Sequence, residues 1–145
     1  MILIFDVCNG LCNQLFDINC SIDFAVKYNF NFSFRFCSFR LEDLNKFDNN
    51  KNFDDLFDES IFAKYKNFIP FKNISLLLNN DNTINYVSTI VNTWAKSEID
   101  LINSLNTTFT TSNKKYIIIK QLFSIYNIDN IKNNINIKHC EIKIK

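Results

Sequence analysis

The sequence contains very few of the residues that normally mark turns. It has one glycine and one proline, Gly10 and Pro70. The two common glycine-rich phosphate-binding loops, G-x-G-x-x-G and G-x-x-x-x-G-K-[ST], each require more than one glycine. Both nucleotide-binding fingerprints are therefore excluded, and the surroundings of the single glycine become the first place to look for a site.

The sequence also lacks long apolar runs and any excess of one charge. No apolar stretch approaches the ~20 residues that cross a bilayer, so we expect no membrane span. The chain has 16 Lys and Arg against 15 Asp and Glu, a formal net charge of +1. A balanced charge provides no electrostatic basis for binding nucleic acid or an anionic membrane. We therefore predict partners of another kind.

Cysteine and histidine provide no recognisable metal site. None of the five cysteines forms a C-x-x-C pair, and the one histidine, His139, lies near the end of the chain. We predict no metal and assemble no cysteine–histidine or serine–histidine pair. The odd number of cysteines and the absence of a basic leader indicate reduced thiols and a cytoplasmic location. A redox role for Cys8 and Cys12, which flank the glycine, remains an alternative.

The first part of the chain has clear periodic patterns. Residues 2–7, ILIFDV, are apolar and β-branched, as in a buried strand. Apolar residues then recur at helical spacing over residues 13–28, and residues 29–36 alternate phenylalanine with polar residues, as in a second strand. A strand–loop–helix–strand order predicts an α/β fold with a mostly parallel sheet and a right-handed crossover.

Weaker patterns predict the remaining elements. They are a short helical turn and then a helix within 53–65, the helix capped by Asp58 or Ser60, a strand within 68–78, one or two helices over 86–105, a polar linker at 106–114 and a strand at 115–123. We expect four or five strands in one domain, 1–145. Its core is residues 1–123, and residues 124–145 form a ragged tail or a weak edge strand.

The loop around Gly10 lies where a ligand is expected. In parallel α/β sheets, ligands bind beyond the carboxyl ends of the strands, and a helix that starts there presents free N–H groups to an anion. The amide of Asn13 can donate and accept, and Asp17 lies one turn further on the same side of the helix. Asp17 and Asp23 are also possible bases. The alternatives are that Gly10 only makes the turn, that Asn13 only caps the helix, and that Asp17 and Asp23 belong to a solvated helix face, which we favour for both.

Residues 10–16, GLCNQLF, resemble the G-L-G-N-Q-[ML]-F signature of GDP-fucose-dependent fucosyltransferases. The likeness is closest to the α-1,2 type, with related forms among protein O-fucosyltransferases, whose signature also links an N-terminal strand to the first helix. Residues 53–62, FDDLFDESIF, resemble a later segment of the family, so the likeness covers residues 2–65. The chain departs from the family at Cys12 and Asn9, where glycines are common.

The resemblance implies a Rossmann-like three-layer half of a GT-B glycosyltransferase that transfers fucose from GDP-fucose to a glycan or protein acceptor. It implies that Gly10, Asn13 and Gln14 face the sugar-nucleotide cleft, without an obligatory metal. Most of the donor site, including a cleft arginine, belongs to the family's second half. The sequence stops near the end of the first half, which fits a truncated enzyme, a degenerate copy, or one piece of a split enzyme whose donor domain is supplied by a second chain. A non-catalytic interaction module or degenerate remnant is the alternative.

Two arginines complete the set of candidates. Arg40 follows the second predicted strand and has the geometry to bind a phosphate or an acceptor carboxylate with two hydrogen bonds. The alternative is a surface ion pair with Glu42 or Asp43. Arg35 lies within the strand pattern and has less weight, whereas Asp6 ends the first strand close to the expected crevice. The substrate-binding candidates are thus Gly10, Asn13, Gln14, Asp17 and Arg40, and no catalytic residue is assigned.

Overall fold

The computed structural model of the chain describes residues 2–7, 11–36, 58–74, 87–90, 97–111, 116–120 and 122. The elements in chain order are strand β1 (Ile2–Val7), helix α1 (Leu11–Lys27), strand β2 (Asn31–Phe36), a 3-10 helix (Glu59–Phe62), strand β3 (Val87–Ile90), helix α2 (Glu98–Thr111) and strand β4 (Tyr116–Lys120). Residues 71–74 are also helical.

The four strands form one parallel sheet in the order β2-β1-β4-β3. β1 occupies an inner position, with Phe5 in register with Phe34 of β2 and with Ile119 of β4. Partners in register point to the same face of a sheet. The predicted α/β class with a parallel sheet is confirmed.

One face of the sheet packs against both helices, and we call it the helix face. Leu3 and Phe5 of β1 share a buried cluster with Ile18 of α1 and Leu101 of α2. The crossovers β1–α1–β2 and β3–α2–β4 run in the same direction across the sheet. Such crossovers are almost always right-handed, which places both helices on one face.

The other face, called here the opposite face, is covered by the segment that follows β2. Ile4 and Ile118 pack with Ile74, and the half-buried Ile69 and Phe71 pack against this second cluster. The sheet is therefore covered on both faces, as parallel sheets usually are.

The two helices are joined at the end of α1. Glu98, the first residue of α2, accepts a hydrogen bond from the Tyr28 hydroxyl and one of 2.6 Å from Lys27 Nζ. The ring of Phe109, near the end of α2, lies 5.9 Å from that of Phe30. Helix α2 is thus fixed to the turn between α1 and β2.

Helix α1 ends in a motif that normally uses glycine. Asn29 has φ 56°, Phe30 N donates to Ala25 O at 2.9 Å, and Asn29 N donates to Val26 O at 3.3 Å. These two bonds are those of a Schellman motif, in which the left-handed residue is usually Gly and sometimes Asn. An asparagine therefore performs the role of a terminating glycine here.

The strand predicted within 68–78 is wrong over residues 68–74, and residues 75–78 lie outside the described residues. Phe68 makes only an isolated bridge to Phe32, and residues 71–74 are helical. Pro70 has no N–H to continue a ladder, and its fixed φ suits the start of a helix.

The helix predicted within 53–65 is a 3-10 helix, and its predicted cap is confirmed because Asp58 accepts from Ser60 N at 2.9 Å.

The helix predicted over 86–105 and the linker predicted at 106–114 are also wrong in part. Val87–Ile90 is a strand, where β-branched side chains suit a sheet, and α2 begins only at Glu98. Ser97 caps α2 by accepting from Asp100 N at 3.1 Å. The threonines near residue 108 remain helical, with their hydroxyls bonded to carbonyls four residues earlier. Residues 124–145 lie outside the described residues.

Candidate functional site

The carboxyl edge of the sheet brings the start of α1 beside the end of β1. β1 ends at Val7 and α1 begins at Leu11, so the first turn of the helix follows the carboxyl end of an inner strand. The first turn of α1 has no acidic residue. The partial positive charge of the helix N-terminus is therefore not offset by a carboxylate in the helix itself. This geometry suits an anionic or polyhydroxyl ligand.

The three candidates on α1 differ in exposure. Asn13 is exposed, whereas Gln14 is completely buried and Asp17 is 3% exposed. Each of the two buried side chains has an interaction partner. Asn13 is therefore the side chain of this group that is open to a ligand, and Gln14 and Asp17 lie in the interior behind it.

The solvated helix face expected for Asp17 is wrong, although it holds for the exposed Asp23. Helical periodicity turns position 17 toward the sheet together with Ile18, so a charged residue occupies a core-facing position. Burial, followed by the negative charges of Asp17 and Asp23, raises the pKa of the Cys20 thiol far above its ordinary value. Cys20 therefore remains a neutral thiol and is unsuited to act as a nucleophile.

A partly buried ion pair joins the ends of β1 and β2. Arg35 Nε donates to Asp6 Oδ1 and Arg35 Nη2 donates to Asp6 Oδ2, each at 2.6 Å. The side chain of Asp6 is 1% exposed and that of Arg35 is 36% exposed. A bidentate guanidinium–carboxylate pair fixes both distance and orientation.

Sequence reasoning gave Arg35 little weight because it lies within a strand pattern. The structure places it one residue before the end of β2, in register with Asp6. The signal that would have found the pair is the alignment of the two strands by their apolar patterns. That alignment puts position 6 beside position 35 once the sheet is taken as parallel.

Asp6 also has a cationic neighbour on its other side. Lys120 of β4 is in register with Asp6, so Arg35, Asp6 and Lys120 form one row across three strands of the opposite face. One step toward the amino ends, Ser33 is fully buried, and its hydroxyl has no hydrogen-bond partner in the structure. The carboxyl edge thus carries a row with one more positive than negative charge.

Gly10 and Arg40 lie outside the described residues, as do Cys8 and the side chain of Cys12. Of the five substrate-binding candidates, the structure therefore places Asn13, Gln14 and Asp17, all on the first two turns of α1.

Two searches over the described ranges are negative. No group of three or more His, Cys, Asp or Glu residues there is arranged to hold a metal ion. Among the helices of the same ranges, none has the length and apolar character that a membrane span requires.

Comparisons with known proteins return no relative. No family model matches the chain, and neither the curated proteins nor the solved structures provide a match. The likeness to fucosyltransferases therefore depends on the sequence segments 10–16 and 53–62 and on the place of the first segment between a strand and a helix.

Proposed function

We propose that the chain is a fucosyltransferase-like glycosyltransferase domain, the N-terminal half of a GT-B enzyme that uses GDP-fucose. The observation that carries the proposal is the position of the signature. Its helical part, residues 11–16, forms the start of α1 directly after β1 of a parallel sheet. The family signature occupies the same place, between the first strand and the first helix.

The start of α1 has the properties that a sugar nucleotide requires. The first four N–H groups of a helix have no partner within it, and together with the helix dipole they favour a negatively charged group. Asn13 adds an exposed side chain that both donates and accepts, as the hydroxyls of a sugar require. In the proposed site Gly10 allows close approach of the ligand, and Asn13 makes the main contact.

The other three candidates, Gln14, Asp17 and Arg40, have secondary roles in the proposed site. Gln14 and Asp17 are buried behind Asn13 and hold the helix start, and Arg40 binds an anionic group of donor or acceptor. Inverting transfer needs a base for the acceptor proton and positive charge on the leaving diphosphate. We assign the diphosphate site to the donor half of the GT-B architecture, so that residues 1–145 bind ligand weakly when alone.

The test is ligand-observed saturation-transfer NMR on the purified chain with GDP-fucose, GDP and free fucose. The method detects millimolar binding, which corresponds to about 4 kcal/mol. We expect transfer from the wild-type protein to GDP-fucose and its loss in Asn13→Ala. Asn103→Ala is the matched control, because Asn103 is an exposed asparagine on the other helix. It should bind like the wild type.

Two results would contradict the proposal. Full transfer in Asn13→Ala would show that the ligand binds elsewhere. The absence of transfer from all three ligands in the wild type would remove the sugar-nucleotide site and favour an interaction module that has the fold without the activity.

A further inference from the structure

The Asp6–Arg35 pair is the strongest feature of the described residues that the proposed function does not use. It lies on the opposite face of the sheet, one residue before the ends of both β1 and β2. The segments after these ends carry Gly10 and Asn13 on one side and Arg40 on the other. The pair therefore connects the two strands from which the proposed ligand contacts extend.

Stability alone does not account for an ion pair at this position. Taking the Asp6 carboxylate out of water costs free energy that its attraction to Arg35 need not recover. Replacing a buried ion pair by well-packed apolar side chains is often neutral for stability or even stabilising. The neighbouring positions on the same face show that the sheet accepts apolar residues, since Ile4 and Ile118 are buried there. What the ion pair adds over an apolar pair is a fixed geometry, through two parallel hydrogen bonds.

We propose that Asp6 and Arg35 are positioning residues that set the carboxyl ends of β1 and β2 and thereby the start of α1. Asp6 is the last residue but one of β1 and lies five residues before Leu11, so the pair holds β1 close to the point at which α1 begins. Lys120 is in register with Asp6 on the other side, so a second cationic residue lies beside Asp6 on the same face of the sheet. The consequence for ligand binding rests on the proposed function, whereas the consequence for the helix does not.

Amide hydrogen exchange along α1 tests the proposal without a ligand. Arg35→Lys keeps the positive charge but cannot form the bidentate hydrogen bonds to the Asp6 carboxylate. We expect exchange at Leu15 and Phe16 to rise about tenfold, with that at Phe24 and Ala25 unchanged, because only the start of the helix is loosened. An equal rise along the whole helix, or no rise at all, would overturn the proposal.

Two further variants separate positioning from stability. Asp6→Leu/Arg35→Met replaces the pair by apolar side chains, and we expect an unfolding midpoint close to that of the wild type together with faster exchange at Leu15. Slow, wild-type exchange at Leu15 in this variant would show that the pair only fills space. Glu98→Gln is the matched control, because it weakens an ion pair at the other end of α1. It should increase exchange near Ala25 and leave Leu15 unchanged.

Saturation transfer from GDP-fucose to the same variants connects the two proposals. Reduced transfer in Arg35→Lys with normal transfer in Glu98→Gln is the expected result. If the wild-type protein shows no transfer, the proposed function fails, and the exchange gradient along α1 still decides whether Asp6 and Arg35 position the helix. Normal transfer in Arg35→Lys alongside a clear exchange gradient would overturn the link between the pair and the ligand.

Discussion

Glu98 shows how one partly exposed carboxylate can join two helices. Burial alone would raise the pKa of its carboxyl group, but the hydrogen bonds from Lys27 and Tyr28, together with the charge of Lys27, outweigh burial and lower it. The same hydrogen bonds raise the pKa of Lys27 and of Tyr28, in each case mainly through Glu98. The three groups therefore stabilise the folded chain as a charged carboxylate with two protonated donors.

The pH dependence of stability follows from the direction of these shifts. A carboxyl group with a lowered folded pKa stabilises the fold above its unfolded value and loses that contribution as the pH falls through the folded value. We expect the free energy of unfolding, measured in urea, to decrease below the ordinary Glu pKa of 4.5. The decrease should be smaller in Glu98→Gln, which has no carboxyl group to protonate at this position. An identical pH profile in Glu98→Gln would contradict this account.

Asn29 is the second residue with a measurable individual role. A left-handed backbone costs a residue with a β-carbon about 1 kcal/mol or more, and asparagine and glycine tolerate it best. We expect Asn29→Ala to lower the free energy of unfolding by about 1 kcal/mol relative to Asn29→Gly. Both variants also lose the 3.1 Å hydrogen bond from Asn67, so their difference reports the backbone alone. Equal stability of the two variants by urea unfolding would show that φ at this position carries no strain.

At the scale of elements, the segment 58–74 is attached to β2 mainly through aromatic side chains. The ring of Phe34 lies 5.0 Å from that of Phe62, and the rings of Phe62 and Phe32 lie 5.4 and 5.6 Å from that of Phe68. Such pairs add about 0.5–1.5 kcal/mol each beyond the area that they bury. The backbone adds two bonds, from Phe32 N to Asn67 O and from Ile69 N to Phe32 O.

Removing the central ring should therefore weaken this attachment strongly. Phe34 is fully buried, and Phe-to-Ala changes in cores cost about 3–5 kcal/mol. We expect Phe34→Ala to lose that amount in urea unfolding, which is a large part of the 5–15 kcal/mol that is typical of a domain. Phe34→Leu keeps most of the volume and should cost clearly less. A loss below about 1 kcal/mol in Phe34→Ala would show that the aromatic cluster contributes little.

The accuracy of the sequence predictions differs by element for physical reasons. β1, α1, β2 and β4 lie close to their predicted ranges because each has a long apolar pattern of one period. β3 and the end of α2 were missed because polar β-branched residues fit more than one structure, and tertiary contacts decide between them. The Asp6–Arg35 pair required the register of two strands, which no local pattern contains. The exposure of Asn13 and the burial of Asp17 likewise depend on where the sheet packs.

At the scale of the whole molecule, the sheet joins the two ends of the described chain. β1 pairs on one side with β2, which follows it closely in sequence, and on the other with β4, more than a hundred residues later. Contacts between such distant segments require the closure of a long loop, which slows folding. The first strand–helix–strand unit has only local connections, but two of its core neighbours, Ile117 and Ile119, come from β4. Helix α1, which carries the candidate site, therefore packs on a core that contains side chains from both β1 and β4.

The single bridge at Phe68 also has a consequence for association between chains. An open strand edge is a template on which another molecule can add a strand. Along the outer side of β2, the Phe32–Phe68 bridge occupies the amino-terminal end of that edge, and Pro70 has no N–H with which to extend the ladder. The next amide, Phe71 N, donates to Glu59 Oε1 at 3.4 Å. Bridge and proline together block the addition of a strand at the amino-terminal end of β2.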